Sequence, residues 1–156
     1  MDIKVYKGSI DDLQTLVEMR IAYIREDYGR ISDEQIEEIK KALPDYYSRH
    51  INRDLHIYTA KKDEEIIACG FLLVIEKPAS PSFIHGKVGT VLNVYTKPEY
   101  RRQGAAKKLL KQMLLEARNM GLDYVELKST EAGYFLYKSL GFEEVHSKHH
   151  NMQLII

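Results

Sequence analysis

Arg101-Arg102-Gln103-Gly104-Ala105-Ala106-Lys107-Lys108 sets four cations around one glycine and two alanines, directly after an apolar run at 91–96 that stops at Pro98. A helix opening at Gly104 would leave its first N–H groups without intrahelical partners, and the aligned peptide dipoles make that end partly positive. Small residues there let a ligand lie against the main chain. Such a turn suits a phosphate or diphosphate, and so a nucleotide-bearing cofactor. Ordinary strand-to-helix connections can look the same. The Rossmann spacing of three glycines and the P-loop Gly-Lys-Ser/Thr are both missing from the chain.

Arg101, Gly104 and Ala106, with Thr96 and Pro98 ahead of them, resemble the Arg/Gln-x-x-Gly-x-Gly/Ala signature of the GNAT superfamily of N-acetyltransferases. A second stretch, 130–142, resembles that family's other cofactor motif, a short helix carrying Leu136-Tyr137 and ending in Gly141-Phe142. Gly141 suits a left-handed helix end. Gly133 is expected inside the helix, where it costs about 1 kcal/mol relative to alanine, so something should approach closely there.

The resemblance implies acetyl-CoA as co-substrate and no metal. It implies that the backbone of Val94, Tyr95 and Thr96 holds the pantetheine arm and acetyl carbonyl where this strand splays from its neighbour. It assigns the diphosphate to the amides of Arg102, Gln103, Gly104, Ala105, Ala106 and Lys107. Thr130 and Gly133 fall at the second motif, where asparagine and alanine are more usual. Tyr137 takes the place of a tyrosine near the departing sulfur. Full proton transfer from a phenol near ~10 to a thiolate near ~8.5 is uphill by about 2 kcal/mol, so a strong hydrogen bond is the expected role.

No Asp or Glu lies in the 90–96 strand to act as a base. A lysine-like amine costs about 4.6 kcal/mol to deprotonate at pH 7, an α-amine near ~8 about 1.4 kcal/mol. Glu26, Asp27 and His85 are the alternative bases. By the resemblance, Tyr23, Glu26, Tyr28, Tyr46, Tyr47 and the loop 78–85 shape the acceptor side, where acids and aromatics suit a cationic amine. His146, His149 and His150 lack the partners of a metal site.

Positioning these groups requires a mixed α/β fold. Residues 3–7 alternate as a strand, and Ser9 and Ser32 cap two helices, the second interrupted or kinked at Pro44. Strands at 56–60 and 66–75 flank a polar turn at 61–65, and a strand at 90–96 precedes the helix that Gly121 ends. A strand at 124–128, a helix at 131–140 and strands near 142–145 and 151–156 complete the order β-α-α-β-β-β-α-β-α-β-β, a central mixed sheet flanked by helices. That is the GNAT-like order, expected as one domain over 1–156.

Composition narrows the function classes. The 156 residues are 44% hydrophobic and 29% charged, within the globular range. Lys+Arg 23 balances Asp+Glu 23, so no global field recruits nucleic acid or an anionic membrane. The longest apolar stretch, near 66–75, is too short for a bilayer, and no signal peptide is expected at the start. Cys69, the single cysteine, reads as a small buried residue in a reducing compartment, not a nucleophile. The cytoplasm is therefore expected. The expected activity is acetyl transfer from acetyl-CoA to a primary amine of a small molecule or peptide, by direct attack. A non-catalytic acyl-CoA sensor is the alternative, and a homodimer is left open.

Overall fold

The computed structural model describes residues 2–156. Its elements are β1 (Lys4–Lys7), α1 (Leu13–Tyr28), α2 (Asp33–His50), β2 (Leu55–Lys62), β3 (Glu65–Glu76), β4 (Lys87–Thr96), α3 (Ala105–Asn119), β5 (Tyr124–Glu126) and α4 (Tyr134–Ser139). The strands form one sheet in the order β1-β2-β3-β4-β5, antiparallel except for the parallel β4–β5 pair.

Alternation along the strands divides the core in two. Leu55, Ile57, Cys69 and Phe71 pack with Leu16 and Met19 of α1 and Tyr47 of α2. Tyr58, Ala60, Ala68 and Leu72 face the other way, onto Leu109, Leu110 and Met113 of α3. Successive strand side chains point to opposite faces, so one sheet serves both layers.

Local chemistry sets the boundaries. Ser32 accepts from the Gln35 N–H while the Gln35 side chain accepts from the Ser32 N–H, closing a capping box. The Ser9 box opens a single 3-10 turn, Ile10–Asp12, that runs into α1. The β2–β3 turn is tighter than the polar run 61–65 suggests. Both strands extend to Lys62 and Glu65, and Asp63 and Glu64 make the turn at φ 51 and 72. Positive φ at both central residues matches the twist of a two-residue hairpin.

Of the break or kink expected at Pro44, the break does not occur, because α2 runs from Asp33 to His50. Ile36 and Tyr47 are buried on either side of the proline, and that packing outweighs one lost helix hydrogen bond. The strands expected near 142–145 and 151–156 do not form: nothing after Ser139 belongs to a regular element. Alternating sequence supplies the capacity for a strand, but the ladder requires a partner.

Candidate active site

β4 and β5 separate after a short parallel contact. Val88, Gly89 and Thr90 pair with Tyr124, Val125 and Glu126, whereas β4 continues to Thr96 paired only with β3. The β5-facing edge from Val91 onward therefore carries unpaired backbone groups. A bulge against β3 reshapes the same segment, because Cys69 pairs with Tyr95 and Phe71 with Leu92. Asn93 takes φ 52 within it, a left-handed conformation that asparagine tolerates better than branched residues. An open slot, bent at Asn93, thus runs along residues 94–96.

The turn at its end is rich in free donors. Gly104 has φ 86 and is the N-cap of α3, and the first return bond runs from the Lys108 N–H to the Gly104 carbonyl. Among the described residues, no backbone N–H from 102 to 107 donates to a protein acceptor. A Cβ at Gly104 would meet nothing within 4 Å, so the approach to these amides is open.

The cations divide their work. Arg101 Nε donates to the Thr96 carbonyl at 2.8 Å, its NH2 group donates to Glu26 of α1 at 2.8 Å, and its guanidinium lies 5.5 Å over the Tyr95 ring. Lys108 Nζ donates to the Ile3 carbonyl at 2.6 Å. The expected four-cation cluster therefore shrinks to Arg102 and Lys107, joined by Lys62 through its bond to Gln103. Arg101 is a clamp that ties the turn to the strand and to α1.

Tyr137 is fixed from both ends of α4. Gly133 precedes this helix, at φ −89, instead of lying inside it. A Cβ there would stand 2.9 Å from Tyr137 Cε2, so the close neighbour is the tyrosine ring itself. Thr130 Oγ1 accepts from the Gly133 N–H at 3.2 Å, which commits that side chain to the helix start. At the far end Gly141 takes φ 98 and the Phe142 N–H returns to the Tyr137 carbonyl. Phe142 then packs edge-on at 5.8 Å against the Tyr137 ring. Burial first, and Tyr23 of α1 second, push the Tyr137 phenol up to about 12. Gly133→Ala is accordingly expected to cost about 1–2 kcal/mol through this overlap. Turnover should fall with it, as read by thermal melting and steady-state rates; a variant unchanged in both would remove the constraint.

A cavity of about 910 Å³ lies between α1, α2 and the sheet. Tyr28, Tyr46, Tyr47, Phe71 and Leu92 give it an aromatic and apolar side, and Arg20, Arg30, Glu34 and Glu38 are the charged residues of its lining. Arg20 donates to Asn93 Oδ1 at 3.2 Å, and the Asn93 amide reaches the buried Cys69 sulfur at 3.6 Å. Among the described residues, Arg20 has no carboxylate at ion-pair distance. Tyr47, 1% exposed, keeps a hydroxyl with no hydrogen-bond partner. Burial pushes the Cys69 thiol up to about 12, so it is no nucleophile at neutral pH.

The family model of the acetyltransferase (GNAT) family matches residues 17–142. The chain belongs to the GNAT family of acetyltransferases. A predicted acetyltransferase from Clostridium acetobutylicum, solved with acetyl-CoA, superposes with a TM-score of 0.84 at 24% identity, covering 97% of this chain and 96% of that one. A GCN5-related N-acetyltransferase from Ralstonia eutropha JMP134 gives 0.82 at 25% identity, over 97% and 99%. Glucosamine-6-phosphate N-acetyltransferase from Arabidopsis thaliana gives 0.66 at 18% identity, over 97% and 99%. None of the curated proteins is a match in sequence. No helix among the described residues is long and apolar enough to cross a membrane, and they hold no cluster of metal-ligating side chains.

Within this GNAT fold, residues 94–96 and the turn 102–107 follow one another along a single slot. Thr130 and Gly133 lie at the start of α4, under Tyr137. Of the alternative bases, Glu26 lies at the slot's end, where Arg101 joins it to Thr96, and His85, bonded to Asp123 at 2.7 Å, lies far from it, before the opposite end of β4. Tyr28, Tyr46 and Tyr47 line the cavity, whereas Tyr23, Glu26 and the loop 78–85 do not. Arg20, Asn93 and Phe71 escape sequence reasoning. One signal was present: Arg20 interrupts the apolar stripe of α1, where a charge needs a reason.

Proposed function

We propose that this GNAT chain, acting as one domain over 1–156, transfers the acetyl group of acetyl-CoA to a primary amine of a small molecule or peptide. One observation carries the reading: the slot opened where β4 leaves β5 ends on a run of unpartnered N–H donors. The donors of Arg102, Gln103, Gly104, Ala105, Ala106 and Lys107 suit a diphosphate, because fixed amide dipoles need no reorganisation to meet charge. The β5-facing edge at Val94, Tyr95 and Thr96 offers backbone groups to a pantetheine arm, the Thr96 carbonyl already accepting from Arg101, and Thr130 and Gly133 join the reading at the start of α4. Acetyl-CoA, when bound, supplies an acyl group already activated as a thioester.

Tyr137 holds its proton at Oη and donates a hydrogen bond to the departing sulfur. Its raised pKa keeps the phenol protonated throughout the working pH range. The amine attacks as its neutral form, without a covalent enzyme intermediate. The aromatic cavity beside Asn93 takes the body of the acceptor. Arg20, without a carboxylate at ion-pair distance, suits an anionic group on the acceptor, while Glu34 and Glu38 in the same lining suit its amine, so the acceptor combines an amine, an apolar body and a carboxylate or similar anion.

Arg20→Gln is expected to raise the acceptor KM about ten-fold or more, the worth of a charge-assisted hydrogen bond, while the acetyl-CoA Kd stays put. An unchanged KM would free the acceptor of any anionic requirement. The decisive experiment follows thiol release from acetyl-CoA across amino acids, peptides, polyamines and aminoglycosides, with calorimetry on acetyl-CoA and free coenzyme A. Turnover with an amine supports the reading. Tight binding with no turnover on any amine would identify a sensor, and no heat with either coenzyme would remove the diphosphate site.

A further inference from the structure

Arg20 is held in the acceptor cavity by a partner that carries no charge. Its Nη1 donates to Asn93 Oδ1 at 3.2 Å, and among the described residues no carboxylate stands at ion-pair distance from it. Asn93 is 3% exposed and committed on its other side. Its Nδ2 donates to Cys69 Sγ at 3.6 Å, and the Cys69 thiol donates in return to the Asn93 carbonyl at 3.7 Å. That thiol, pushed up by burial to about 12, stays neutral as well. The guanidinium is thus fixed in place while only dipoles answer its charge. The same charge reaches the phenols of Tyr46 and Tyr47 in the cavity lining. Asn93 also directly precedes Val94, where the edge proposed for the thioester begins, and consecutive Cα atoms stand about 3.8 Å apart. A short reach therefore separates an anion on Arg20 from the amine that attacks.

We propose that Asn93 sets the charge preference of the acceptor cavity by holding Arg20 without neutralising it. The acceptor is then an amino acid. Its amine and carboxylate share one carbon or adjacent carbons, and its side chain is aromatic or apolar. This assignment rests on the acetyltransferase reading above. Asn93 is a positioning residue that acts through Arg20 and takes no part in bond making. An amide suits that task where a carboxylate would not. Asparagine and aspartate share one shape and both tolerate φ 52, but a carboxylate 3.2 Å from the guanidinium would close the ion pair inside the protein. The ligand would then meet a cancelled charge. With the neutral amide, the counter-ion of a half-buried arginine has to come from the ligand.

Two probes that lack an amine separate charge from turnover. Hydrocinnamate and hydrocinnamamide carry the same aromatic body and differ only in the group offered to Arg20. With free coenzyme A bound, calorimetry on the unmodified protein should give the acid a Kd about ten-fold or more below that of the amide. Asn93→Asp should bring the two within about two-fold, whereas adding Asn93→Asp to Arg20→Gln should leave their ratio where it was. A purely structural asparagine would weaken both probes alike and keep the original ratio. Spacing has its own test, which needs no variant. Phenylalanine should release thiol from acetyl-CoA with a kcat/KM about ten-fold or more above that of its isomer para-(aminoethyl)benzoate, whose charged groups lie at opposite ends of the ring. Equal affinities for acid and amide, a ratio untouched by Asn93→Asp in a variant that melts normally, or preference for the isomer would each overturn the assignment. In all three cases coenzyme A still gives heat; no heat with it would instead remove the cofactor reading and this assignment together.

Discussion

Gly104→Glu is expected to abolish binding of acetyl-CoA and of free coenzyme A. Two effects act together. Gly104 is held at φ 86, where a side chain costs about 1–2 kcal/mol. A carboxylate placed about 5 Å from a bound phosphate charge adds repulsion on the order of 3 kcal/mol at an effective dielectric near 20. The second term alone weakens binding a hundred-fold or more. Gly104→Ala separates the two, because its Cβ meets nothing within 4 Å. Alanine should bear only the backbone strain and lose ten-fold or less. Calorimetry on both variants, with melting curves to confirm the fold, distinguishes these outcomes. A glutamate variant with ordinary affinity would place the diphosphate elsewhere.

Tyr137→Phe should lower kcat about a hundred-fold, within the range for a positioned proton donor, and leave the acetyl-CoA Kd almost unchanged. The ring remains against Phe142 and above Gly133, so packing is kept and only the hydroxyl is lost. The pH dependence sharpens the test. A phenol pushed up to about 12 is protonated throughout the neutral range and contributes no limb to the kcat profile between pH 6 and 9. A limb there should belong to the acceptor amine and persist in the phenylalanine variant. Stability has a matching sign. The folded pKa lies above the unfolded value near 10, so Tyr137's contribution is complete below pH 10 and is lost as pH rises through 12. Full turnover in Tyr137→Phe would take the hydroxyl out of the reaction.

Much of this molecule is local physics, and local physics is legible in sequence. Ser32 and Gln35 announce a helix start because their side chains satisfy donors within the same turn. Gly141 announces a helix end because a left-handed residue is needed there. The glycine and alanines at 104–106 announce a turn with free amides because those follow from the helix start alone. Those signals, in order, were sufficient for the fold class.

Pairing across the fold is another matter. Arg101 and Lys108 stood among the cations expected around the turn, but which anion or carbonyl a long cation reaches depends on neighbours distant in sequence: Glu26 and Thr96 for one, Ile3 for the other. Gly133 was recognised as a close approach, while the group approaching it, Tyr137, became visible only once α4 was built. Arg20 gained meaning when the bulge brought Asn93 beneath it. The segment 151–156 is the sharpest case. Its alternation is a property of the chain, but a β-ladder is a property of two strands, and 151–156 pairs with none among the described residues.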